Sequence, residues 1–152
     1  MVRVMATGVF DLLHPGHVYY LEKAAELGDE LIVVVARDCF AMKVKYKPIN
    51  SEEHRLMMVK ALKPVSDAIL GYEKDIYRIL DDISPDIIAL GYDQFPDTSQ
   101  IETEIKKRGM KTKIVRIEPY KDDEDEIKAT RKIIDKIVKW REYQKLIDEG
   151  SK

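Results

Sequence analysis

Two of the chain's three histidines, His14 and His17, lie in the segment GVFDLLHPGH at residues 8–17. The apolar run before this segment predicts a buried strand, and Pro15 suits the first turn of a helix, so the segment is predicted to join the two. Residues three apart on a helix share a face, and the free amides at a helix start attract anions. Two imidazoles beside those amides could therefore bind a polyphosphate and stabilise the charge that develops on its α-phosphate and on a pyrophosphate leaving group.

The same two histidines could instead be surface residues or metal ligands. A zinc site requires a third or fourth ligand at suitable spacing, and neither Cys39 nor His54 completes an obvious set. Gly16 lacks a side chain and would let a ligand approach the backbone closely. The position of the pair between a strand and a helix favours the phosphate-binding interpretation.

Three lysines form a second candidate group. Lys43, Lys45 and Lys47 alternate along the chain, so an extended backbone would place their ammonium groups on one side. Lysines at this spacing are also typical of a protected sheet edge or a solvated loop. Spacing alone leaves both interpretations open.

The segment LGYDQ at residues 90–94 supplies a third candidate, because it follows another buried-strand pattern. The Asp93 carboxylate could accept a hydrogen bond from a ribose hydroxyl or hold a divalent metal bound to a triphosphate. Without further context, an aspartate after Gly-Tyr is equally a turn residue.

Strand and helix patterns alternate along the chain. Gly28 and Gly109 are predicted to end helices, and Asn50 with Glu53 to begin one through a capping box. The predicted strands cover residues 2–6, 31–36, 67–70, 86–91 and 112–117, and the predicted helices cover about residues 15–27, 51–62, 74–83, 97–108 and 127–147. This order predicts an α/β fold: one domain over residues 1–152 with a doubly wound, mostly parallel five-stranded sheet, helices on both faces, and a ligand site at the carboxyl ends of the strands.

Composition limits the partners. The 152 residues include 26 basic and 28 acidic side chains, a formal charge of −2, so neither nucleic acid nor an anionic membrane is an expected partner. The single cysteine cannot form an intramolecular disulfide, and no signal-peptide pattern or spanning segment is visible. These features predict a cytoplasmic protein that binds small molecules.

The motif GVFDLLHPGH resembles the GxFDxxHxGH signature of the cytidylyltransferase-like nucleotidyltransferases, a Rossmann-like superfamily. Residues 20–38, the SEEHR run at residues 51–55 and the strand that ends in Gly91 are also similar to this family. The resemblance implies an enzyme that transfers a nucleoside monophosphate from a triphosphate to a small phosphorylated acceptor and releases pyrophosphate.

The resemblance also implies roles for particular residues. His14, His17 and Lys47 are implied to be catalytic, and Lys43, Asp11 and Arg55 to lie at the acceptor or bind phosphate. Asp11 is implied to organise its loop rather than act as a base, and the alternative for Arg55 is a salt bridge on a glutamate-rich helix. The implied nucleotide-binding residues are Val9, Phe10, His14, Pro15, Gly16, His17, Asp93, Tyr120 and Thr130.

Two features indicate the substrates. The ending G-x-D-Q is similar to archaeal FAD synthases, whereas polyol cytidylyltransferases more often have an aromatic residue in place of Gln94. The Arg-x-x-Gly-Ile-Ser-Thr segment typical of cytidylyltransferases is absent, and only Thr130 remains of its hydroxyls. The resemblance therefore implies ATP as donor and FMN as acceptor, with a divalent metal such as Mg²⁺ carried by ATP rather than by a direct protein site.

The alternatives are a CTP-dependent cytidylyltransferase for glycerol phosphate or another polyol or sugar phosphate, and a nucleotide-binding module without turnover. The acidic stretch at residues 122–126 is predicted to be a surface loop. The last helix, which contains Trp140, is either a surface for a homodimer or a helix that packs on its own sheet.

Overall fold

The computed structural model describes residues 1–44, 47–121 and 130–151. All of its strands belong to one sheet. The strands are β1 (Arg3–Gly8), β2 (Glu30–Val35), β3 (Asp67–Leu70), β4 (Ile87–Leu90) and β5 (Lys113–Arg116). The helices are α1 (Pro15–Ala25), α2 (Asp38–Val44), α3 (Glu52–Lys60), α4 (Ile79–Ile83), α5 (Ser99–Lys107) and α6 (Thr130–Gly150), with a 3₁₀ turn at Ile76–Arg78 before α4.

The sheet has the strand order β3-β2-β1-β4-β5, and every neighbouring pair is parallel. The chain moves outward from β1 through β2 to β3 and then returns to add β4 and β5 on the other side. The prediction of a doubly wound α/β fold with five strands is therefore confirmed. The order reverses between β1 and β4, and loops after two such strands diverge to leave a crevice at their carboxyl ends.

The sheet is covered on both faces. Alternate residues of a strand point to opposite sides, so Val4 and Ala6 belong to one core cluster while Met5 belongs to the other. The first cluster includes residues of α1 and α3, and the second includes residues of α4 and α5. β1 lies at the centre of the sheet and is buried on both sides, which explains its short, nearly uninterrupted apolar run.

The segment after β2 differs from the expectation. The three lysines would share one side only on an extended backbone, but residues 38–44 form the helix α2, which places Lys43 in a helical turn. Lys45 lies outside the described residues. The helix is short and depends on tertiary contacts, because the Glu52 carboxylate accepts from the Asp38 amide at 2.8 Å. Such contacts leave no pattern in the local sequence.

The start of α3 also differs in one detail. Ser51 is the N-cap, and its hydroxyl oxygen accepts from the His54 amide at 3.3 Å. The prediction that Asn50 caps this helix is wrong, because the Asn50 side chain is directed to the carbonyl of Asp11 instead. A serine and an asparagine in sequence are both good caps, so propensity alone does not choose between them.

Gly28 is required for close packing. A β-carbon at this position would lie 2.6 Å from the backbone oxygen of Val2 and 2.8 Å from a methyl group of Val4. The glycine therefore allows the chain after α1 to pass closely over the start of β1. Gly109, in contrast, has a φ of 63° directly after α5, which is the left-handed conformation predicted for a helix-ending glycine.

The helix α6 does not pack on the sheet. None of its described residues is buried, and its apolar side chains Ile137, Val138, Trp140, Tyr143, Leu146 and Ile147 are exposed. The predicted start of this helix near residue 127 lies outside the described residues, as does the acidic stretch. Within the part of the chain that the structure describes, no helix is both long and apolar enough to span a membrane.

We predict that Gly28→Ala lowers the free energy of unfolding by roughly 1–3 kcal/mol, because the new methyl group would clash with the backbone oxygen of Val2 and displace that part of the chain. Gly150→Ala is the matched control, since a β-carbon there has no neighbour within 4 Å. Urea denaturation followed by circular dichroism measures both variants. Equal stability of the two variants would contradict the packing role of Gly28.

Candidate active site

A cavity of about 780 Å³ opens where the strand order reverses. Its walls come from the loop after β1, the start of α1, the loops after β4 and β5, and the first described turn of α6. Nine of the residues selected from sequence line this single cavity, which are Val9, Phe10, Asp11, His14, Gly16, His17, Asp93, Tyr120 and Thr130. Pro15, Lys43, Lys47 and Arg55 are not among its lining residues.

His14 and His17 cap the helix that carries them. The Nδ1 atom of His14 accepts from the Gly16 amide at 3.1 Å, and Nδ1 of His17 accepts from the His14 amide at 3.3 Å. The two imidazole rings stack with centroids 3.8 Å apart. In a neutral imidazole whose Nδ1 is an acceptor, the proton is on Nε2. The caps thus orient both rings, and the neutral form of each ring carries its proton on Nε2.

Phe10 fixes the shape of the loop before these histidines. Its φ of 53° is left-handed, which is uncommon for a bulky residue and typical of constrained functional loops. Its ring is buried and lies 5.4 Å from the ring of His17 and 6.5 Å from that of Tyr20. A β-carbon on Gly8 would lie 2.7 Å from the Phe10 ring, so the glycine makes room for it.

Gln94 connects the two strands at the reversal point. Its Nε2 donates to the Thr7 carbonyl at 2.9 Å, and its Oε1 accepts from the Gly91 amide at 2.9 Å. The neighbouring Tyr20 hydroxyl donates to the Ala89 carbonyl at 2.7 Å. Burial raises the pKa of the Tyr20 hydroxyl, which keeps it protonated as a donor. These bonds hold the ends of β1 and β4 at a fixed separation.

Arg116 stabilises the loop that follows β4. Its Nη1 donates to the carbonyls of Gly91 at 2.9 Å and Gln94 at 2.6 Å, and its Nη2 donates to that of Phe95 at 2.8 Å. Asp93 lies within this loop and lines the cavity. The guanidinium at the end of β5 therefore determines the path of the backbone that carries Asp93.

Asp11 holds a neighbouring loop. Its carboxylate is only 5% exposed and accepts from the amides of Ile49 and Asn50, both at 2.9 Å. The Asn50 side-chain amide donates in return to the Asp11 carbonyl at 3.0 Å. Asp11 thus joins the histidine-containing loop to the segment that precedes α3. Lys47 is exposed and lies two residues before Ile49 in this segment.

Arg55 is fully buried on α3 and does not face the cavity. Its Nη1 donates to the carbonyls of Val9 at 2.7 Å and Ala36 at 2.8 Å, and its Nε donates to that of Asn50 at 3.1 Å. Its Nη2 binds the Asp38 carboxylate at 2.7 Å. The salt bridge is therefore to α2 rather than to a glutamate of α3. This geometry gives Arg55 a structural role, because the backbone carbonyls and Asp38 occupy its guanidinium.

The first described turn of α6 closes the cavity on the side of β5. The Thr130 hydroxyl donates to the Leu12 carbonyl at 3.3 Å, and Arg131 and Lys132 line the wall beside it. The ring of Tyr120 packs 5.1 Å from that of Tyr19, which also lines the cavity. Sequence reasoning did not select Arg131, Lys132 or Tyr19, because charged helix residues and a tyrosine on an amphipathic helix have many other uses.

Within residues 1–44, 47–121 and 130–151, no three acidic, histidine or cysteine side chains form a group that could hold a metal ion. The alternative in which His14 and His17 are two ligands of a protein-bound metal thus finds no third side chain of these types in the described regions.

The reversal-point cavity and the capped helix start define a Rossmann-like nucleotide-binding domain, with features that suit an anion beside α1. The model of the cytidylyltransferase-like family matches residues 5–142. This chain belongs to that family, and the resemblance found in the motif at residues 8–17 is confirmed.

Relatives with high identity cover almost the whole chain. The FAD synthase of Aciduliprofundum boonei is 56% identical over 138 residues, which are 91% of this chain and 91% of the relative. The FAD synthase of Archaeoglobus profundus is 53% identical over 91% of this chain and 87% of the relative. Among solved structures, the lipopolysaccharide core biosynthesis protein from Thermoplasma volcanium GSS1 is 50% identical and has a TM-score of 0.77 over 80% of this chain and 99% of that one.

We predict that Arg55→Met lowers the free energy of unfolding by about 3–5 kcal/mol, because the substitution leaves three partly buried carbonyls and the Asp38 carboxylate without their donor. Lys60→Met is the control on the same helix, since Lys60 is exposed and lies 3.8 Å from its partner Asp67. Urea denaturation measures both. A loss below about 1 kcal/mol for the Arg55 variant would contradict the role assigned to its guanidinium.

Proposed function

We propose that this chain is an FMN adenylyltransferase, or FAD synthase, which transfers AMP from ATP to FMN and releases pyrophosphate. The observation that carries this proposal is the 56% and 53% identity, over 91% of the chain, to two proteins named FAD synthase. The cavity supports the proposal as well, because its two imidazoles suit the binding of a triphosphate. A nucleotidyltransferase requires a site for a triphosphate next to a route for a second substrate.

The reaction joins two phosphates. An oxygen of the FMN phosphate attacks the α-phosphorus of ATP and forms a new phosphorus–oxygen bond. The bond between the α-phosphorus and the oxygen bridging to the β-phosphate breaks, and its electron pair leaves with pyrophosphate. The FMN phosphate is already ionised at neutral pH, so no residue has to remove a proton from it, and catalysis depends on positioning and charge stabilisation.

His14 and His17 are the residues we assign to the reacting phosphates. Their Nδ1 atoms accept from backbone amides, and we assign the opposite edge of each ring to hydrogen bonding with a phosphate oxygen of the bound triphosphate. Because hydrogen bonds to the start of α1 already orient both rings, the rings need little reorganisation when charge develops in the transition state. Gly16, which also lines the cavity, leaves the backbone accessible to the phosphates.

Other residues complete the nucleotide site in this proposal. The backbone of Val9 and Phe10 and the side chains of Asp93, Tyr120 and Thr130 contact the nucleoside, since all five residues line the same cavity. Pro15 fixes the first turn of α1. Arg131 and Lys132 add positive charge to the wall and suit the β- and γ-phosphates.

The lysines are assigned to the acceptor side. Lys43 is exposed on α2, and exposed Lys47 precedes the segment that Asp11 fixes. We propose that Lys47 reaches the reacting phosphates and that Lys43 meets the phosphate of FMN. Asp11 then acts through the loop that it positions.

Three further features belong to the proposal. A divalent cation, Mg²⁺ by preference, accompanies the triphosphate, and Asp93 is a lining carboxylate that suits it. The enzyme works in the cytoplasm. It forms a homodimer through α6, whose exposed apolar side chains include Trp140 at 59% and Leu146 at 68% exposure.

A pyrophosphate-release assay tests the function directly. Purified protein with Mg²⁺ is given ATP or CTP, each with FMN or glycerol phosphate, and FAD is identified by chromatography. We expect pyrophosphate only with ATP and FMN, in an amount equal to the FAD formed. Release only with CTP and glycerol phosphate would replace the proposal with a polyol-phosphate cytidylyltransferase, and no release in any combination would favour a binding module.

We predict that His14→Ala and His17→Ala each lower kcat by about 10²-fold or more, because each removes a donor to the reacting phosphates. His54→Ala is the matched control, because His54 is exposed on α3 and does not line the cavity that contains His14 and His17. Circular dichroism checks that the variants fold. A His17 variant with near-normal turnover would remove this residue from the proposed site.

A further inference from the structure

A second cavity, of about 430 Å³, lies beside the first. The two cavities share five lining residues, which are Thr7, Gly8, Val9, Asp93 and Gln94. The carboxyl end of β1 and the loop after β4 therefore form a common wall. A ligand in the second cavity would approach the proposed phosphate site from the other side of this wall, which is the arrangement that two substrates of a transfer reaction require.

The walls of the second cavity are mainly apolar and aromatic. Phe40 comes from α2, Tyr72 from the loop after β3, Tyr77 from the 3₁₀ turn, and Phe95 from the loop after β4. Buried core residues of β1, β2 and β4 form its floor. Aromatic side chains bind planar rings by stacking and edge contacts, and the volume is within the range of about 300–1,000 Å³ typical of small-ligand sites.

Polar groups at this cavity are held in fixed positions. Arg37 lines it, and its Nε donates to the Gly71 carbonyl at 2.7 Å while its Nη1 pairs with Glu52 at 3.3 Å. Burial, and to a lesser extent the charge of Glu104, raises the pKa of the Tyr77 hydroxyl, so this phenol stays neutral and can donate. A planar guanidinium and a phenol suit the carbonyl-bearing edge of a heterocycle.

We propose that the second cavity binds the three-ring flavin system of the acceptor, while the first cavity binds the nucleotide donor. This assignment rests on the proposed function and adds a location for one substrate. The phosphate end of FMN then passes the shared wall at Gly8 and Val9 toward the start of α1. Phe40 and Lys43, three residues apart on one face of α2, would contact the ring and the phosphate of the same molecule.

The same walls disfavour the alternative acceptor. Glycerol phosphate and similar polyols present hydroxyl groups to every side, and an apolar aromatic wall leaves such groups without hydrogen bonds. A flat conjugated ring instead places most of its surface against apolar side chains. The chemistry of the cavity thus selects a planar aromatic heterocycle rather than a polyol.

Three substitutions test this location. Phe40→Ala and Tyr77→Ala remove aromatic walls, and Gly71→Leu adds a side chain at the wall without meeting any atom closer than 3.4 Å at its β-carbon. We expect each to raise the KM for FMN by roughly tenfold or more while the KM for ATP stays near the wild-type value. Phe40→Tyr keeps the ring at position 40 and should stay close to wild type. Urea denaturation confirms that each variant remains folded.

Met57→Ala is the control for loss of a large apolar side chain, because Met57 is 62% exposed on α3 and lines neither cavity. Titration of FMN with protein in the absence of ATP, followed by quenching of flavin fluorescence, supplies a readout independent of turnover. Weaker FMN binding in the three cavity variants, with the control unchanged, supports the proposal. Unchanged FMN binding and KM in those variants, or an equal rise in the KM for ATP, overturns it.

The two proposals fail in different ways. If wild-type protein forms FAD and the cavity variants match it, the location is wrong and the proposed function stands. If wild-type protein forms no FAD, the proposed function fails, and the titration alone decides the cavity. Flavin quenching that Gly71→Leu weakens would then support a flavin site, and the absence of quenching by wild-type protein would overturn it.

Discussion

The arrangement of the loops at the carboxyl ends of β1 and β2 depends on the buried guanidinium of Arg55. A cation without exposure to water is tolerated only when its donors are engaged, and its partners here are three backbone carbonyls and one carboxylate. Those carbonyls lie in the loops after β1 and β2 and before α3, where no strand or helix supplies them with donors. The arginine and the loops therefore satisfy one another, and the three loops adopt one arrangement together.

The polar residues around the cavities divide into two groups. Asp11, Gln94, Arg116 and Arg55 bind backbone atoms, so they determine where the loops run. The histidines accept backbone hydrogen bonds through Nδ1, and their rings line the cavity in which the reaction is proposed to occur. A rigid support for a small number of reacting groups is what charge stabilisation in a transition state requires, since the groups need not be reoriented during the reaction.

The sequence predicted most of the fold because its central strands are buried on both faces and have short, β-branched runs bounded by helices. The histidine pair was equally visible, because its spacing and its place between strand and helix are local properties. Helix α2 was not predicted, since seven residues are too few for a helical pattern and its stability comes from Glu52 and Arg55.

Contacts between distant segments account for the remaining differences. Asp11 was predicted to organise its loop, and Arg55 to bind phosphate or to form a salt bridge on its own helix. Their backbone partners at residues 9, 36, 49 and 50 are far away in sequence, so no local pattern indicates them. The aromatic walls of the second cavity come from four separate parts of the chain, and each ring alone is indistinguishable from an ordinary core residue.

The close approach of Gly8 to the Phe10 ring makes these two positions a single unit of sequence change. A side chain at position 8 would clash with the Phe10 ring. A smaller residue at position 10 would relieve that clash but would leave a void next to the ring of His17. Diversification of this loop therefore requires paired replacements, and a library has to vary positions 8 and 10 together to reach a larger residue at position 8.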